Sequence, residues 1–208
     1  MKPNNRKMKF IGITGGIGAG KSEILSYIAK HYKCEIYLAD QVAHQVKQKG
    51  TDCYTKLVSL LGQDVLDDSG EIDHRKMADR IFKNSDILSQ VNDIVHPAVR
   101  QFLLEHLDAA RQQGRVELFF VEAALLIETG YGNLVDEMWY IYATEEIRRQ
   151  RLRLARGYSD EKIDHIMHSQ LSEDAFRKAC DFVIDNSKDL EDTYQQIDQK
   201  LEAYTWLE

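Results

Sequence analysis

The chain has 208 residues, 43% apolar and 29% charged, with 27 Lys and Arg against 34 Asp and Glu, a formal charge of −7. That length suits one domain, or one domain carrying an insert, with a core large enough to need no staples, and the composition excludes collagen-like, low-complexity and disordered chains. The acidic balance argues against a nucleic-acid polymer or an anionic membrane surface as partner, though not against one local basic site.

The elements follow in order. Met1 to Lys7 is basic and polar and reads as a terminus outside the fold. Met8 to Thr14 is a short apolar strand, glycines follow, and Ser22 to Tyr32 has helical spacing with Ile24, Leu25 and Ile28 on one face. Cys34 to Ala39 is a second strand ending at Asp40, and Gln41 to Lys49 a helix stopped by Gly50. Residues 51 to 112 are mostly helical, interrupted by a turn at Asp67-Asp68-Ser69-Gly70. Val116 to Val121 is a third strand, apolar as a parallel strand buried on both faces must be. Met138 to Ala143 is a fourth strand and Glu145 to Arg156 a charged helix. Ser159 to Ala179 is helical, Phe182 to Ile184 is a fifth strand and Leu190 to Tyr204 a closing helix. Strands separated by helices imply an α/β fold: a five-stranded parallel sheet flanked by helices, with the helical stretch after the second strand as an insert.

Cys34, Cys53 and Cys180 are odd in number and far apart, with no CxxC or Cys/His spacing. They read as free thiols of a reducing, cytoplasmic compartment rather than a disulfide framework or a zinc site. The most apolar stretch, Leu118 to Ile127, is too short to span a bilayer and contains Glu122.

Chemistry concentrates after the first strand. Gly15-Gly16-Ile17-Gly18-Ala19-Gly20-Lys21-Ser22 matches G-x-x-x-x-G-K-[ST] between a strand and a helix. Four glycines let backbone N–H groups turn toward a polyphosphate, and the helix N-terminus adds partial positive charge. Lys21 is placed to reach the β- and γ-phosphates of ATP and Ser22 to coordinate Mg²⁺. No N-K-x-D guanine-reading segment is present, and the chain is short for a motor or transporter ATPase, which leaves a compact kinase of small molecules.

Such an enzyme needs an acid near the acceptor hydroxyl and cations over the phosphates. Asp40 follows the second strand, where open parallel sheets bind ligands, and reads as an acid/base, as a helix N-cap, or as both. Glu122 ends the third strand, where an acid commonly holds the Mg²⁺ water shell, or serves as a buried structural carboxylate. Arg148, Arg149, Arg151, Arg153 and Arg156 crowd into nine residues with no acid between Glu146 and Asp160. Arg149, Arg153 and Arg156 share one helix face, and Arg148 and Arg151 another. At least one of them is expected to clamp phosphate, the alternative being a basic surface helix, while Leu152 and Leu154 are expected to pack inward.

These blocks together resemble the dephospho-coenzyme A kinase family over nearly the whole chain, from about Lys9 to Ala203. The resemblance rests on ITGGIGAGKS (Ile13 to Ser22), ADQVAHQV (Ala39 to Val46), GEIDHRKMADRIF (Gly70 to Phe82), VHPAVR (Val95 to Arg100), EAALLIE (Glu122 to Glu128), the arginine helix and DFVIDNS (Asp181 to Ser187). It implies a P-loop core at about 8–50, 114–146 and 180–206, a helical substrate insert at about 51–113 and a lid at about 147–179. It further implies transfer of the ATP γ-phosphoryl group to the ribose 3′-hydroxyl of dephospho-coenzyme A, the last step of coenzyme A synthesis, in a monomer or weak homo-oligomer.

Residue by residue, the resemblance gives Asp40, Lys21 and Arg151 catalytic roles. It assigns Gly15 to Ser22, Glu23, Arg156 and Asn186 to the nucleotide, and Asp40, Arg75, His96, Glu122 and Leu125 to the acceptor side. The chain departs from the family pattern at Leu38, where a first acid is common, and at Glu23, where Thr is usual. It departs again at Glu122 and Ala124, in place of Asp and Pro, and at Lys188, in place of Gly. A P-loop kinase of another small acceptor, such as a nucleoside or nucleotide, is the alternative. A nucleotide-binding regulatory module without transfer activity is a third reading.

Overall fold

The apolar runs of the sequence become five strands of one sheet: β1 (Lys9–Thr14), β2 (Cys34–Leu38), β3 (Leu118–Glu122), β4 (Glu137–Tyr142) and β5 (Phe182–Asp185). In this computed structural model residues 8–82 and 84–204 are described, and the terminus expected at Met1 to Lys7 lies outside them. The strand order is β2-β3-β1-β4-β5, and β1 pairs in parallel with both β3 and β4, as β4 does with β5. The register sets Gly12 opposite Val121 and Met138, so β1 runs down the middle of the sheet. Ile11, Ile13, Phe119, Phe120, Trp139 and Ile141 are wholly buried, which explains why these runs carry no polar alternation. The chain leaves β1 toward one edge and later fills the other, the arrangement that opens a ligand crevice at strand carboxyl ends.

Two compact units result, one from residues 8–36 and 110–204, the other Tyr37–Ala109. The first holds the body of the sheet with α1 (Lys21–His31), α6 (Glu145–Arg156), α7 (Asp160–His168), α8 (Glu173–Ala179) and α9 (Leu190–Glu202). In this unit Glu137 ties strands to the C-terminal helix. Its carboxylate accepts from Lys200 at 2.9 Å, Tyr204 at 2.7 Å, Trp139 at 3.2 Å and Lys9 at 3.3 Å. Burial alone raises a carboxylate's pKa, but these donors outweigh it and hold Glu137 down at about 2.

The stretch expected as one helix from Ser159 to Ala179 is two. Ser172 accepts from the Ala175 amide at 3.2 Å and so begins α8 afresh, while Ser159 caps α7.

The second unit is helical: α2 (Ala39–Val46), α3 (Asp52–Leu61), a 3₁₀ turn at Gln63–Val65, α4 (His74–Phe82) and most of α5 (Ser85–Gln113). Its core is Val42, Val46, Leu57, Leu61, Met77, Val91, Val95, Val99 and Leu103, all buried. Thr51 caps α3 by accepting from the Tyr54 amide at 3.0 Å. Pro97 lies inside α5 and removes the amide that would otherwise bond to the carbonyl of Asp93. Helix α2 starts at Ala39, not Gln41, so Asp40 stands in its first turn and Leu38 takes the cap position with no side-chain cap. The N-cap reading of Asp40 therefore falls.

Candidate active site

The loop from Gly15 to Gly20 joins β1 to α1, and its glycines are demanded by close neighbours. Gly18 has φ +79°, and a Cβ there would sit 2.9 Å from the Arg148 backbone oxygen. Gly20, at φ +91°, is the N-cap of α1, and a Cβ on it would strike the Asn186 amide nitrogen. Neither position tolerates a side chain. Lys21 reaches back across the loop to donate to the Gly15 carbonyl at 2.8 Å, with Glu122 at 3.6 Å. Ser22, next in α1, is exposed.

The arginine helix divides by face. Arg148 donates from Nε to the Ile17 carbonyl at 2.9 Å and from Nη2 to Gln170 Oε1 at 2.7 Å. The same Gln170 oxygen accepts from the Ile17 amide at 3.2 Å. Arg151 donates to the carbonyls of Ala19 at 3.2 Å and Asn186 at 2.9 Å. The other face turns elsewhere: Arg149 pairs with Glu145 and Asp164, and Arg153 with Asp160. Arg156 packs on the ring of Tyr158, 6.0 Å from its centroid, and makes no hydrogen bond or ion pair with the phosphate loop among the described residues. Leu152 is buried as expected, but Leu154 is 80% exposed, because α6 offers only one apolar stripe and Leu154 lies off it.

Arg148 and Arg151 have no carboxylate partner among the described residues; backbone and amide oxygens alone receive their donors. Burial presses the pKa of both downward, the sign of partly desolvated cations awaiting an anion.

Behind the loop, Asn186 is almost wholly buried. It donates to the Ala19 carbonyl at 2.7 Å and accepts from Thr193 at 3.1 Å. Glu23 accepts from the Tyr194 hydroxyl at 2.8 Å. Glu122 ends β3 as expected, and Leu125, in the turn beyond it, is 56% exposed. Asp40, Arg75 and His96 belong to the helical unit, all exposed: Asp40 on α2, Arg75 in the first turn of α4 and His96 just before Pro97 on α5. No hydrogen bond engages the Asp40 carboxylate among the described residues.

Ser22 and Glu122 offer hard oxygen donors of the kind Mg²⁺ takes. The described residues contain no cluster of three or more His, Cys, Asp or Glu able to hold a metal by themselves. An ion here would therefore complete its shell with phosphate oxygens and water, as Mg²⁺ does in kinases.

Residues 9–192 match the family model for dephospho-CoA kinase. A dephospho-CoA kinase of Streptococcus mutans is 36% identical over 195 residues, covering 93% of this chain and 96% of the relative. One from Aquifex aeolicus is 33% identical over 198 residues, covering 95% and 98%. The chain belongs to the dephospho-CoA kinase family. A crystal structure from Thermus thermophilus superposes with a TM-score of 0.78 at 27% identity, covering 95% of this chain and 98% of that one. Shikimate kinase from Acinetobacter baumannii, with a TM-score of 0.53 at 10% identity over 97% and 99% of the two chains, shares the fold alone.

Membership in a dephospho-CoA kinase family implies a kinase that uses ATP, and the loop geometry matches that implication. In this dephospho-CoA kinase family member, Gln170, Thr193 and Tyr194 are residues around the loop that the sequence did not point to, while Arg148 was one of five arginines among which it did not choose. Arg148 carried a signal, its three-residue spacing from Arg151; Gln170, in the break between α7 and α8, and Thr193 and Tyr194, on α9, carried none. No described helix is long and apolar enough to cross a membrane.

Proposed function

We propose that the chain transfers the γ-phosphoryl group of ATP to the ribose 3′-hydroxyl of dephospho-coenzyme A, giving coenzyme A and ADP. The observation that carries this reading, beside family membership, is the pair of half-buried guanidiniums, Arg148 and Arg151, on the loop without acidic partners. They ask for the charge a triphosphate brings.

The residues divide the work. Amides of Gly15 to Ser22 and the Lys21 ammonium hold the phosphates, and Arg151 stabilises charge as the phosphoryl group moves in line. Asp40 orients the 3′-hydroxyl and takes its proton as the bond from oxygen to phosphorus forms and the bond to the ADP oxygen breaks. Ser22 and Glu122 would hold Mg²⁺, which when bound supplies charge neutralisation between the β- and γ-phosphates. Arg75, His96 and Leu125 serve the acceptor side, and Asn186 the nucleotide side through the loop. Glu23 and Arg156 serve the nucleotide only indirectly, one through Tyr194 and the other through α6. Residues 147–179 act as a lid whose closure excludes water, a competing acceptor, and the helical insert carries the acceptor.

The test is ADP release with and without dephospho-coenzyme A. Strong acceleration by that acceptor over nucleosides and nucleotides is expected; equal rates with and without it would overturn the assignment.

A further inference from the structure

One cavity of the helical unit is not used by the residues named so far. Helix α2 and its C-cap carry Asp40, His44 and Lys47 at i, i+4 and i+7, one face of a helix. His44 and Lys47 line a cavity of about 500 Å³ together with Gln48, Lys49, Asp67, Glu71, Ile72 and His74. His44 Nδ1 lies 2.9 Å from His74 Nε2, with the rings stacked at 4.7 Å.

The acids around this cavity are already committed. Asp67 accepts from the Ser69 amide, the Ser69 hydroxyl and the Glu71 amide, and Glu71 accepts from the Lys49 amide at 3.0 Å. Asp73, beside His74, accepts from the amides of Arg75 and Lys76. Lys49 Nζ is spent on the Ser69 carbonyl at 3.1 Å. The half-buried Lys47 ammonium is different: among the described residues it makes no hydrogen bond or ion pair, and Asp40 is a carboxylate whose charge reaches it. Burial lowers its pKa, and burial with the charge of Lys47 and the facing His44 lowers that of His74. Two histidines sharing one N–H···N contact hold one extra proton without breaking it, and then both outer ring nitrogens are donors.

We propose that Lys47 and the His44–His74 pair bind the 5′-diphosphate of the acceptor, beside the Asp40 that addresses its 3′-hydroxyl. This deepens the reading of Asp40 given above and rests on it. The acceptor joins both groups through one ribose. Along α2, His44 and Lys47 stand about 6 Å and about 10 Å beyond Asp40, a spacing suited to two consecutive phosphates. The diphosphate supplies the counter-charge that Lys47 lacks and draws a proton onto the imidazole pair. These residues set acceptor specificity and do not touch the reacting atoms.

The experiment measures steady-state constants and calorimetric binding of dephospho-coenzyme A for wild type, Lys47→Met, Lys47→Arg and His74→Gln. Loss of one charge-assisted contact predicts a rise of about tenfold in KM and Kd for dephospho-coenzyme A in Lys47→Met and His74→Gln. The KM for ATP and kcat should hold within about twofold, Lys47→Arg should recover most of the loss, and kcat/KM with adenosine, which has no diphosphate, should not change. Wild-type affinity should weaken as pH rises through the imidazole range, and His74→Gln should lose that dependence while Lys47→Met keeps it. Unchanged Kd in the variants, or an equal loss with adenosine, would overturn the proposal. Wild type that binds dephospho-coenzyme A but never phosphorylates it would sink the kinase reading alone, leaving the Kd values to judge the site.

Discussion

Tyr194, on α9, donates its hydroxyl to the carboxylate of Glu23, in the first turn of α1, at 2.8 Å. A carboxylate one residue past Ser22, in the first turn of α1, adds repulsion to any bound triphosphate. The hydroxyl contact anchors that carboxylate, and Tyr27, stacked on Tyr194 at 3.8 Å, holds the ring. Tyr194→Phe should therefore raise the KM for ATP by about two- to fivefold, since charges near a helix N-terminus are worth about 0.3–1 kcal/mol. Adding Glu23→Gln should cancel the effect. An unchanged KM in Tyr194→Phe would show the contact to be irrelevant to the nucleotide.

Arginines on the two faces of α6 should separate in kinetics. Arg148→Met and Arg151→Met each remove a cation from the loop and should cost about 10²-fold in kcat/KM for ATP, the usual cost of removing a donor to a developing charge. Arg153→Met removes only an exposed pair with Asp160 and should stay within about twofold. If Arg153→Met proves as damaging as Arg148→Met, the face assignment is wrong.

Asp40→Asn should lower kcat by about 10²–10⁴-fold, the range of a general base, while nucleotide binding to the loop remains intact by calorimetry. Near-normal turnover would take Asp40 out of the chemistry.

The Glu137 cluster makes a prediction about acid stability. Its folded-state pKa of about 2 lies below the ordinary 4.5, so its contribution is fully present above about 4.5 and disappears as pH falls toward about 2. That contribution is on the order of 3 kcal/mol. Glu137→Gln should lower Tm by about 6–12 °C at neutral pH and flatten the fall of Tm between those two pH values. A variant melting curve parallel to wild type through that window would contradict this account.

Sequence and structure agree best where a local rule decides. Glycine spacing announces the phosphate loop because only glycine adopts φ +79° or +91° against a neighbour's atoms, and α6 keeps its expected bounds because Thr144 and Gly157 cap it. Boundaries slip where two signals compete. Ser172 restarts a helix that periodicity alone would run through, and Asp40, a good cap by type, lies inside α2 instead. Contacts between distant residues were the illegible part. Periodicity separates the arginine faces, but it cannot say which one meets the loop, since that depends on how α6 leaves β4. Leu154 shows the same limit, an apolar residue in a charged run with nothing to cover it. His44 and His74 are 30 residues apart and meet only through the tertiary fold of the helical unit.

Asn186 closes the space beside Gly20 and bonds to Ala19, so the wall of the phosphate loop is supplied from near the far end of the chain. Residues 15–22 therefore have part of their packing supplied by the segment that ends β5, 167 positions from Ala19. A chain cut before Asn186 would carry the whole phosphate-binding motif and lack the side chain that closes against Gly20 and Ala19.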